Sequence, residues 1–401
     1  MKIGFFTQNV RKGGLDTFLI NLLSHWREED DVVLFCNRSH PGLADLQREL
    51  GPRIEIVTYD FLVAQDLHER VVRYGRPIQV LIKGMFWVLG FPYLVQSVGN
   101  LLRLHPCDRL LIVNGGYPGG DACLAANVAW ARMGNGKPQA WHNFHNLTLP
   151  YAADPLRRLK ERWIDALVAR STAGFVTVSA ACLETLKERP GLLGENRTFI
   201  HNGMMPYEPL TAPSLRAELG LTESVELVLM LAVYEQRKGH AFLFEAMKGV
   251  VAHHPQAYLL VCGDGSPADV ERVRRLRDES PCHDRIILQN HRKDVVSLLS
   301  QVDVLVVPSQ SQESFGYMAL EAMYCGLAVV CTDVGGLPEV VESGRTGLVV
   351  SRNDAIGFGR ALSNLLSDPV RRHALGKAGR ERAYRHFSVE RMTTQYMALM
   401  E

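Results

Sequence analysis

Residues 313–321 read Glu-Ser-Phe-Gly-Tyr-Met-Ala-Leu-Glu, and they follow an apolar run at 304–307 that Pro308 ends. The run predicts a buried parallel strand. The apolar residues after it have helical spacing, which predicts a helix with Ser314 as its N-cap and Gly326 at its carboxyl end. The stretch therefore predicts a strand, a loop and a helix in a parallel α/β sheet.

This loop combines two acids with the start of a helix. Gly316 lets a ligand approach the first backbone N–H groups, and a helix N-terminus is a favourable place for phosphate. The carboxylates of Glu313 and Glu321 can accept hydrogen bonds from hydroxyl groups. A phosphate site beside acceptors for hydroxyls indicates a sugar nucleotide as the ligand.

The chain of 401 residues is long enough for two domains. We expect an N-terminal domain over 1–203, a C-terminal domain over 204–385, and a final helix over 386–401 that packs back on the first domain. The Pro-rich stretch 202–213 is the expected hinge.

Charge and cysteine usage exclude several function classes. A formal net charge of +1 argues against a nucleic-acid partner. The eight cysteines form no Cys-x-x-Cys pair, and the chain opens on a strand pattern rather than a secretory signal, so we expect a reduced, cytoplasmic protein.

Strand and helix patterns alternate along the chain, which predicts an α/β fold: two doubly wound, Rossmann-like domains facing a central cleft. The predicted strands of the first half are 3–7, 32–36, 54–59, 110–113, 139–141, 175–178 and 198–200. Those of the second half are 227–232, 258–262, 286–288, 304–307, 328–331 and 347–350.

A basic pair follows the first strand of the second half. Arg237 and Lys238 precede Gly239 and a predicted helix at 241–253. They can clamp a pyrophosphate and stabilise its charge as it leaves. The alternative is a solvated basic pair, but cations are unfavourable at a helix start, which favours the functional interpretation.

Two features of the first half are candidate ligand-binding groups. Gly13 and Gly14 form a glycine loop before a helix, which suits an anion or a plain tight turn equally. His142 and His145 end a predicted strand, and each is a candidate hydrogen-bond partner or base, or else a structural histidine. No Asp-x-Asp pair occurs in the sequence, so we expect no metal.

Residues 84–102 carry no charge. A membrane span is rejected because Pro92, three glycines and several polar residues interrupt the segment. A core helix is the favoured interpretation. The alternative is peripheral membrane contact through residues 70–102, with Arg70, Arg73, Arg76 and Lys83 beside the apolar segment.

The Glu-x7-Glu pattern of Glu313 and Glu321, with Arg237-Lys238-Gly239, resembles retaining glycosyltransferase family 4 of the GT-B fold, the glycosyl transferases group 1. Weaker support comes from 263–265 (Gly-Asp-Gly), 335–339 (Gly-Gly-Leu-Pro-Glu) and 201–203 (His-Asn-Gly). The similarity is dense from 227 to 350 and diffuse before 114. The family often has Gly-Arg-Leu before the lysine, whereas this chain has Ala-Val-Tyr at 232–234, so Arg237 is the candidate second cation.

The resemblance implies a role for each candidate residue. Glu321 should hold ribose hydroxyls, Glu313 should contact the donor sugar near its reacting face, and Lys238 should bind the diphosphate. The implied donor-binding set is Gly14, Arg237, Lys238, Arg292, Ser314, Phe315, Gly316, Tyr317 and Glu321, with His142 and Gly13 on the acceptor side. The implied catalytic set is Glu313, His145 and Lys238.

By this resemblance the chain transfers a sugar, with retention, from a UDP- or GDP-linked donor to a hydroxyl of a saccharide or lipid-linked acceptor. No cofactor or metal is implied. The expected setting is bacterial surface polysaccharide or lipopolysaccharide assembly, in the cytoplasm or peripherally on the inner face of the membrane. The alternatives are a hydrolysing sugar-nucleotide epimerase of GT-B fold, a phosphorylase, for which no pyridoxal phosphate motif is found, and a non-catalytic sugar-binding protein.

Overall fold

Two parallel β-sheets, each flanked by helices, make up the computed structural model. It describes residues 1–63, 67, 71–72, 74–134, 136, 138–194, 196–207 and 213–401. The chain divides into two units: Met1–Met204 together with Val389–Glu401, and Met205–Ser388. Part of the stretch expected to be the hinge, 208–212, lies outside the described residues, as do Arg70 and Arg73.

The first unit is built on a seven-stranded parallel sheet in the order β3-β2-β1-β4-β5-β6-β7. Its strands are β1 (Lys2–Gln8), β2 (Asp31–Asn37), β3 (Glu55–Tyr59), β4 (Arg109–Asn114), β5 (Ala140–Phe144), β6 (Thr172–Thr177) and β7 (Arg197–Phe199). Its helices are α1 (Gly14–Ser24), α2 (Leu43–Leu50), α3 (Arg76–Leu104), α4 (Asp121–Met133), α5 (Pro155–Ser171) and α6 (Ala180–Thr185).

Apolar side chains of successive strand residues point to opposite faces of this sheet, so it buries a core on each side. One core contains Phe6, Ile112 and apolar residues of α3 and α4. The other contains Phe5, Leu111 and residues of α1 and of the last helix of the chain. Burial on both faces explains why the strands are almost continuously apolar.

The second unit is built on a six-stranded parallel sheet in the order β10-β9-β8-β11-β12-β13. Its strands are β8 (Glu226–Leu231), β9 (Ala257–Cys262), β10 (Ile286–Gln289), β11 (Val304–Val307), β12 (Ala328–Thr332) and β13 (Leu348–Val350). Its helices are α7 (Leu215–Glu218), α8 (His240–His253), α9 (Pro267–Asp278), α10 (Val295–Leu299), α11 (Tyr317–Tyr324), α12 (Leu337–Val340), α13 (Ala355–Ser367) and α14 (Pro369–His386).

The predicted α/β architecture is confirmed, and each of the thirteen predicted strands overlaps a strand of the structure. The final helix, α15 (Val389–Met400), packs on the first sheet: Tyr396 lies in its core and accepts a hydrogen bond on its hydroxyl from the Asn143 amide at 2.8 Å. The chain therefore leaves the first unit after Met204 and returns to it at Val389.

Helix α3 has two different halves. In its second half a stripe of residues at helical spacing, including Phe91, Leu94, Val98 and Leu102, is buried in the core. Its first half, 76–89, contains no buried residue. Among the described residues, α3 is the one helix that is long and apolar enough to cross a membrane by length and composition, and 22% of its most apolar window is buried.

Candidate functional site

The order of strands in the second sheet places two loops side by side. From the central neighbours β8 and β11, the strand order continues to one edge through β9 and β10 and to the other edge through β12 and β13. The loops after β8 and β11 therefore flank the switch point, the place where the strand order reverses and where ligands of doubly wound sheets bind. The loop after β8 carries Lys238, and the loop after β11 carries Glu313. The topology thus brings the two halves of the predicted site together.

Lys238 and Glu313 form a largely buried ion pair. The Lys238 Nζ donates to Glu313 Oε2 at 2.6 Å, and the Ser309 hydroxyl donates to the same oxygen at 2.8 Å. The two side chains are only 18% and 13% exposed. Burial raises the pKa of the Glu313 carboxyl, but the charge and hydrogen bond of Lys238 outweigh it, so the pKa lies below its usual value. Glu313 is therefore a carboxylate at neutral pH.

Glycines bring the loops close enough for this pair to form. Gly239 has φ +82°, and a Cβ there would lie 2.0 Å from the carbonyl oxygen of Pro308. Gly335 has φ +56°, and its Cβ would lie 1.8 Å from the carbonyl oxygen of Glu313. That carbonyl also accepts a hydrogen bond from the Gly336 amide at 2.9 Å. The Gly-Gly turn at 335–336 therefore holds the acidic loop in place.

Helix α11 begins one turn after Glu313. Its N-cap is Gly316 with φ +104°, and its first residue is Tyr317, so the prediction of Ser314 as N-cap is wrong. Glycine takes this position because the left-handed backbone strains other residues. Phe315 is buried and contacts the rings of Tyr317 and Phe387, and these contacts hold the loop in place. Gly326, with φ +71°, follows the helix end as predicted.

Glu321 lies on α11 and is buried. Burial raises the pKa of its carboxyl to about 8, although a hydrogen bond from the Tyr207 hydroxyl partly offsets the shift. Tyr207 belongs to the Pro-rich stretch, and no pattern in the sequence marks it as a partner of Glu321. It is a residue of the site that sequence reasoning missed, as is Ser309.

The two predicted arginines differ in their surroundings. Arg237 donates to Glu235 at 2.5 Å and to the carbonyl of Gln312 at 3.1 Å. Its second hydrogen bond therefore holds Gln312, the residue before Glu313, in place. Arg292 pairs with Glu218 and, at 2.6 Å, with Asp294. Arg237 is therefore part of the Lys238–Glu313 cluster, whereas the contacts of Arg292 are with other acids.

In the first unit, both histidines are buried and neutral, because burial lowers the pKa of each imidazole to about 3. The ring nitrogens of His142 contact the side-chain amides of Asn127 and Asn114 at 3.2 and 3.4 Å, which is the setting of a structural histidine. His145 packs on Phe18, and its Nδ1 has no hydrogen-bond partner among the described residues.

The glycine loop of the first unit is held by an acid. The Gly13 amide donates to Asp16 Oδ2 at 3.0 Å, and Gly14 is the first residue of α1. Asp16 also accepts from the Asn9 amide at 2.9 Å, and it raises the pKa of His145 slightly against the effect of burial. No group of three or more His, Cys, Asp or Glu side chains that could hold a metal lies within the described part of the chain.

Comparison with known proteins defines the class. The family model described as "Glycosyl transferases group 1" matches residues 212–382. A curated relative, the GDP-mannose-dependent monoacylated alpha-(1-6)-phosphatidylinositol monomannoside mannosyltransferase of Corynebacterium glutamicum, is 30% identical over 95% of this chain and 92% of its own length. The chain therefore belongs to the group 1 glycosyl transferases, and it is a glycosyltransferase.

Two further comparisons agree with this assignment. The lipopolysaccharide core biosynthesis glycosyltransferase LpsE of Rhizobium meliloti is 32% identical over the aligned residues, which cover 46% of this chain and 52% of the relative. The crystal structure of Anabaena HepE in complex with UDP-glucose superposes with a TM-score of 0.75 at 19% identity, and covers 100% of this chain and 99% of its own. The GT-B fold predicted from the sequence is thereby confirmed.

Proposed function

We propose that the protein is a retaining, metal-independent glycosyltransferase that moves a sugar from a nucleoside diphosphate to a hydroxyl of a saccharide or lipid-linked acceptor. The observation that carries this proposal is the Lys238–Glu313 pair near the N-terminus of α11, at the switch point of the sheet. It combines a cation for a leaving diphosphate with an ionised carboxylate for a sugar that develops positive charge.

The chemistry follows from charge. When the bond between the sugar and the diphosphate breaks, its electron pair goes to the phosphate oxygen. Lys238 gives one hydrogen bond to Glu313 and has two further ammonium protons that can donate to the phosphate. The Gly316 and Tyr317 amides at the start of α11 add the partial positive charge of the helix. This set would neutralise the leaving group without a metal.

His145 would contribute hydrogen bonds to the sugar rather than act as a proton acceptor. An imidazole whose pKa lies near 3 is neutral at pH 7 but is a weak base. Its unpartnered Nδ1 is consistent with a ligand contact. The acceptor hydroxyl would attack the anomeric carbon on the face from which the phosphate departs and pass its proton to the departing phosphate oxygen, which gives retention without a covalent intermediate.

The relatives suggest which donors to test first. The Corynebacterium relative is named for GDP-mannose, and the Anabaena structure holds UDP-glucose. The acceptor in the name of the first is a glycolipid, and the Rhizobium relative is named for lipopolysaccharide core biosynthesis. These names support our proposal that the reaction belongs to glycolipid or surface polysaccharide assembly, in the cytoplasm or at the inner face of the membrane.

A thermal-shift screen tests the donor proposal. GDP, UDP, GDP-mannose and UDP-glucose should be compared with AMP, since only ligands that bind the folded state raise the midpoint. We expect one diphosphate and its sugar to raise the midpoint, and Lys238→Ala to abolish the shift. Lys248→Ala, which removes an exposed pair with Glu245 in the same unit, is the matched control.

A turnover assay separates the alternatives. Release of nucleotide that requires an acceptor supports glycosyl transfer. Release from the donor alone supports the hydrolysing epimerase, and binding without any release supports a sugar-binding protein. In the thermal-shift screen, an equal rise of the melting midpoint in Lys238→Ala and in the native protein would show that the donor binds elsewhere.

A further inference from the structure

The first half of α3 presents apolar side chains to solvent. Ile78, Leu81, Met85 and Val88 follow one another at helical spacing, and all are exposed, with Leu81 63% and Val88 60% accessible. Soluble proteins rarely leave a contiguous apolar stripe uncovered unless it binds something. This half of the helix is therefore a candidate interaction surface.

A second exposed apolar row lies on α5. Leu156, Leu159 and Trp163 are spaced like one face of a helix, and each is about half exposed or more. The two helices touch: the Trp163 ring meets Phe91 edge-on at 5.9 Å. We call the residues Ile78, Leu81, Met85, Trp87, Val88, Leu156, Leu159 and Trp163 the α3–α5 face.

Lysine and tryptophan are combined within this face. The Lys160 Nζ donates to the carbonyl of Trp87 at 2.6 Å and lies 5.1 Å from the centre of its ring. Trp87, Lys83 and Lys160 also line an adjoining recess of about 230 Å³, which is otherwise mainly apolar and includes Asp121. Amphipathic aromatic side chains beside basic groups are typical of the boundary between lipid headgroups and acyl chains.

The charges around the α3–α5 face are mostly positive. The exposed half of α3 has two cationic residues, Arg76 and Lys83, and no acid, and α5 has five cationic residues and two acids. The two acids, Glu161 and Asp165, pair with the buried Arg189. Cationic groups near an apolar surface are attracted to anionic lipid headgroups.

We propose that the α3–α5 face docks on the surface of a bilayer that contains anionic phospholipid. The apolar half of α3, residues 76–89, is about 21 Å long at 1.5 Å per residue, shorter than the roughly 30 Å of a bilayer core. The second half of α3 is held in the protein core, so the helix lies in the interface and does not cross it. The inference stands on this face alone and does not depend on the donor.

Docking would deepen the proposed function because a glycosyltransferase that lies on a bilayer meets acceptors whose lipid part stays in the membrane. Such an enzyme searches for its acceptor in two dimensions and need not extract the lipid. The acceptor class favoured by docking is a lipid-linked saccharide.

Vesicle sedimentation tests the proposal. The whole protein should be mixed with vesicles of phosphatidylcholine alone, and with vesicles containing 30% phosphatidylglycerol. We expect at least tenfold stronger binding to the anionic vesicles, weakened by salt. The double variant Leu81→Glu/Val88→Glu should lose at least tenfold in binding, and Leu156→Glu/Leu159→Glu should do the same.

The matched control is Ile356→Glu/Val370→Glu. These side chains are 76% and 80% exposed on α13 and α14, and their change should leave vesicle binding unaltered. Unchanged melting temperatures and an unchanged nucleotide-induced shift would show that the face variants are folded. Equal loss in all three variants would overturn the proposal, and so would equal binding to both kinds of vesicle.

Fluorescence provides a second readout. Of the five tryptophans, Trp87 and Trp163 are about half exposed, whereas Trp26 and Trp130 are buried. Brominated phospholipid should quench emission on binding, and Trp87→Phe/Trp163→Phe should remove most of the quenching. Quenching that persists in this variant would place the contact elsewhere. A dimer in vesicle-free solution that Leu81→Glu/Val88→Glu abolishes would mean that a second copy covers the face.

Discussion

Replacing Lys238 by alanine would leave the Glu313 carboxylate buried without its cation. At 2.6 Å the attraction between the charges is about 6 kcal/mol for an effective dielectric constant of about 20, and the cost of burying both charges offsets part of it. Removing one partner of a buried pair typically costs at least about 3 kcal/mol. A unit of this size loses about 2–4 °C per kcal/mol, so we expect Lys238→Ala to lower the melting temperature by about 6–12 °C.

The same variant should lose about 10²-fold in kcat/KM, as expected for one charge-stabilising contact to the leaving group. The double variant Lys238→Ala/Glu313→Gln separates the two effects. It leaves no buried charge at the pair, so it should regain most of the lost stability. It should regain none of the lost activity, since it lacks both the cation and the carboxylate.

Differential scanning calorimetry and initial-rate kinetics with a saturating acceptor are the assays. Lys248→Ala, which breaks an exposed pair, should change the melting temperature by no more than a degree or two. The reasoning is refuted if Lys238→Ala melts like the native protein, or if the double variant is no more stable than the single one. Recovery of turnover in the double variant would show that the lysine acts only by neutralising Glu313.

Three more predictions concern stability. Glu321 has a pKa raised from 4.5 to about 8, so its contribution to the free energy of unfolding is complete below pH 4.5 and is lost as the pH rises to 8. In urea unfolding, the stability of Glu321→Gln relative to the native protein should therefore increase between pH 5 and 8.5. Gly335→Ala should cost more stability and more nucleotide affinity than Gly344→Ala, because both have positive φ but only the first Cβ meets backbone; equal costs would contradict this. The depressed pKa values of His142 and His145 stabilise the fold above pH 6.5, and this should be lost as pH falls towards 3; a flat acid limb in pH-dependent urea unfolding would contradict it.

Much of the fold was predictable because parallel strands leave a direct trace in the sequence. A strand buried on both faces, such as Val304–Val307, is a short apolar run, and each run predicted as a strand overlaps one in the structure. The proximity of Lys238 and Glu313 was also predictable, since the carboxyl ends of neighbouring parallel strands share one edge of the sheet.

Other features depend on contacts between residues that are far apart in the chain. The N-cap was misplaced at Ser314 because its preference for caps is local, whereas Gly316 takes the position to let the backbone turn against Leu337. The hydrogen bond from Tyr207 to Glu321 joins residues more than a hundred positions apart, and no periodicity reports it. Both halves of α3 are rich in apolar residues, and the exposed first half is no less apolar than the second, so only packing distinguishes core from surface.

The second unit is one uninterrupted length of chain, whereas the first is made from two pieces, because α15 returns to it. The second unit is thus inserted into the first, with junctions near 204 and 388. A chimaera that takes the second unit from a relative must therefore be joined at both junctions if the first unit is to keep all of its chain. Cutting only at the first would strip α15 from the core of the first sheet, where Tyr396 is fully buried.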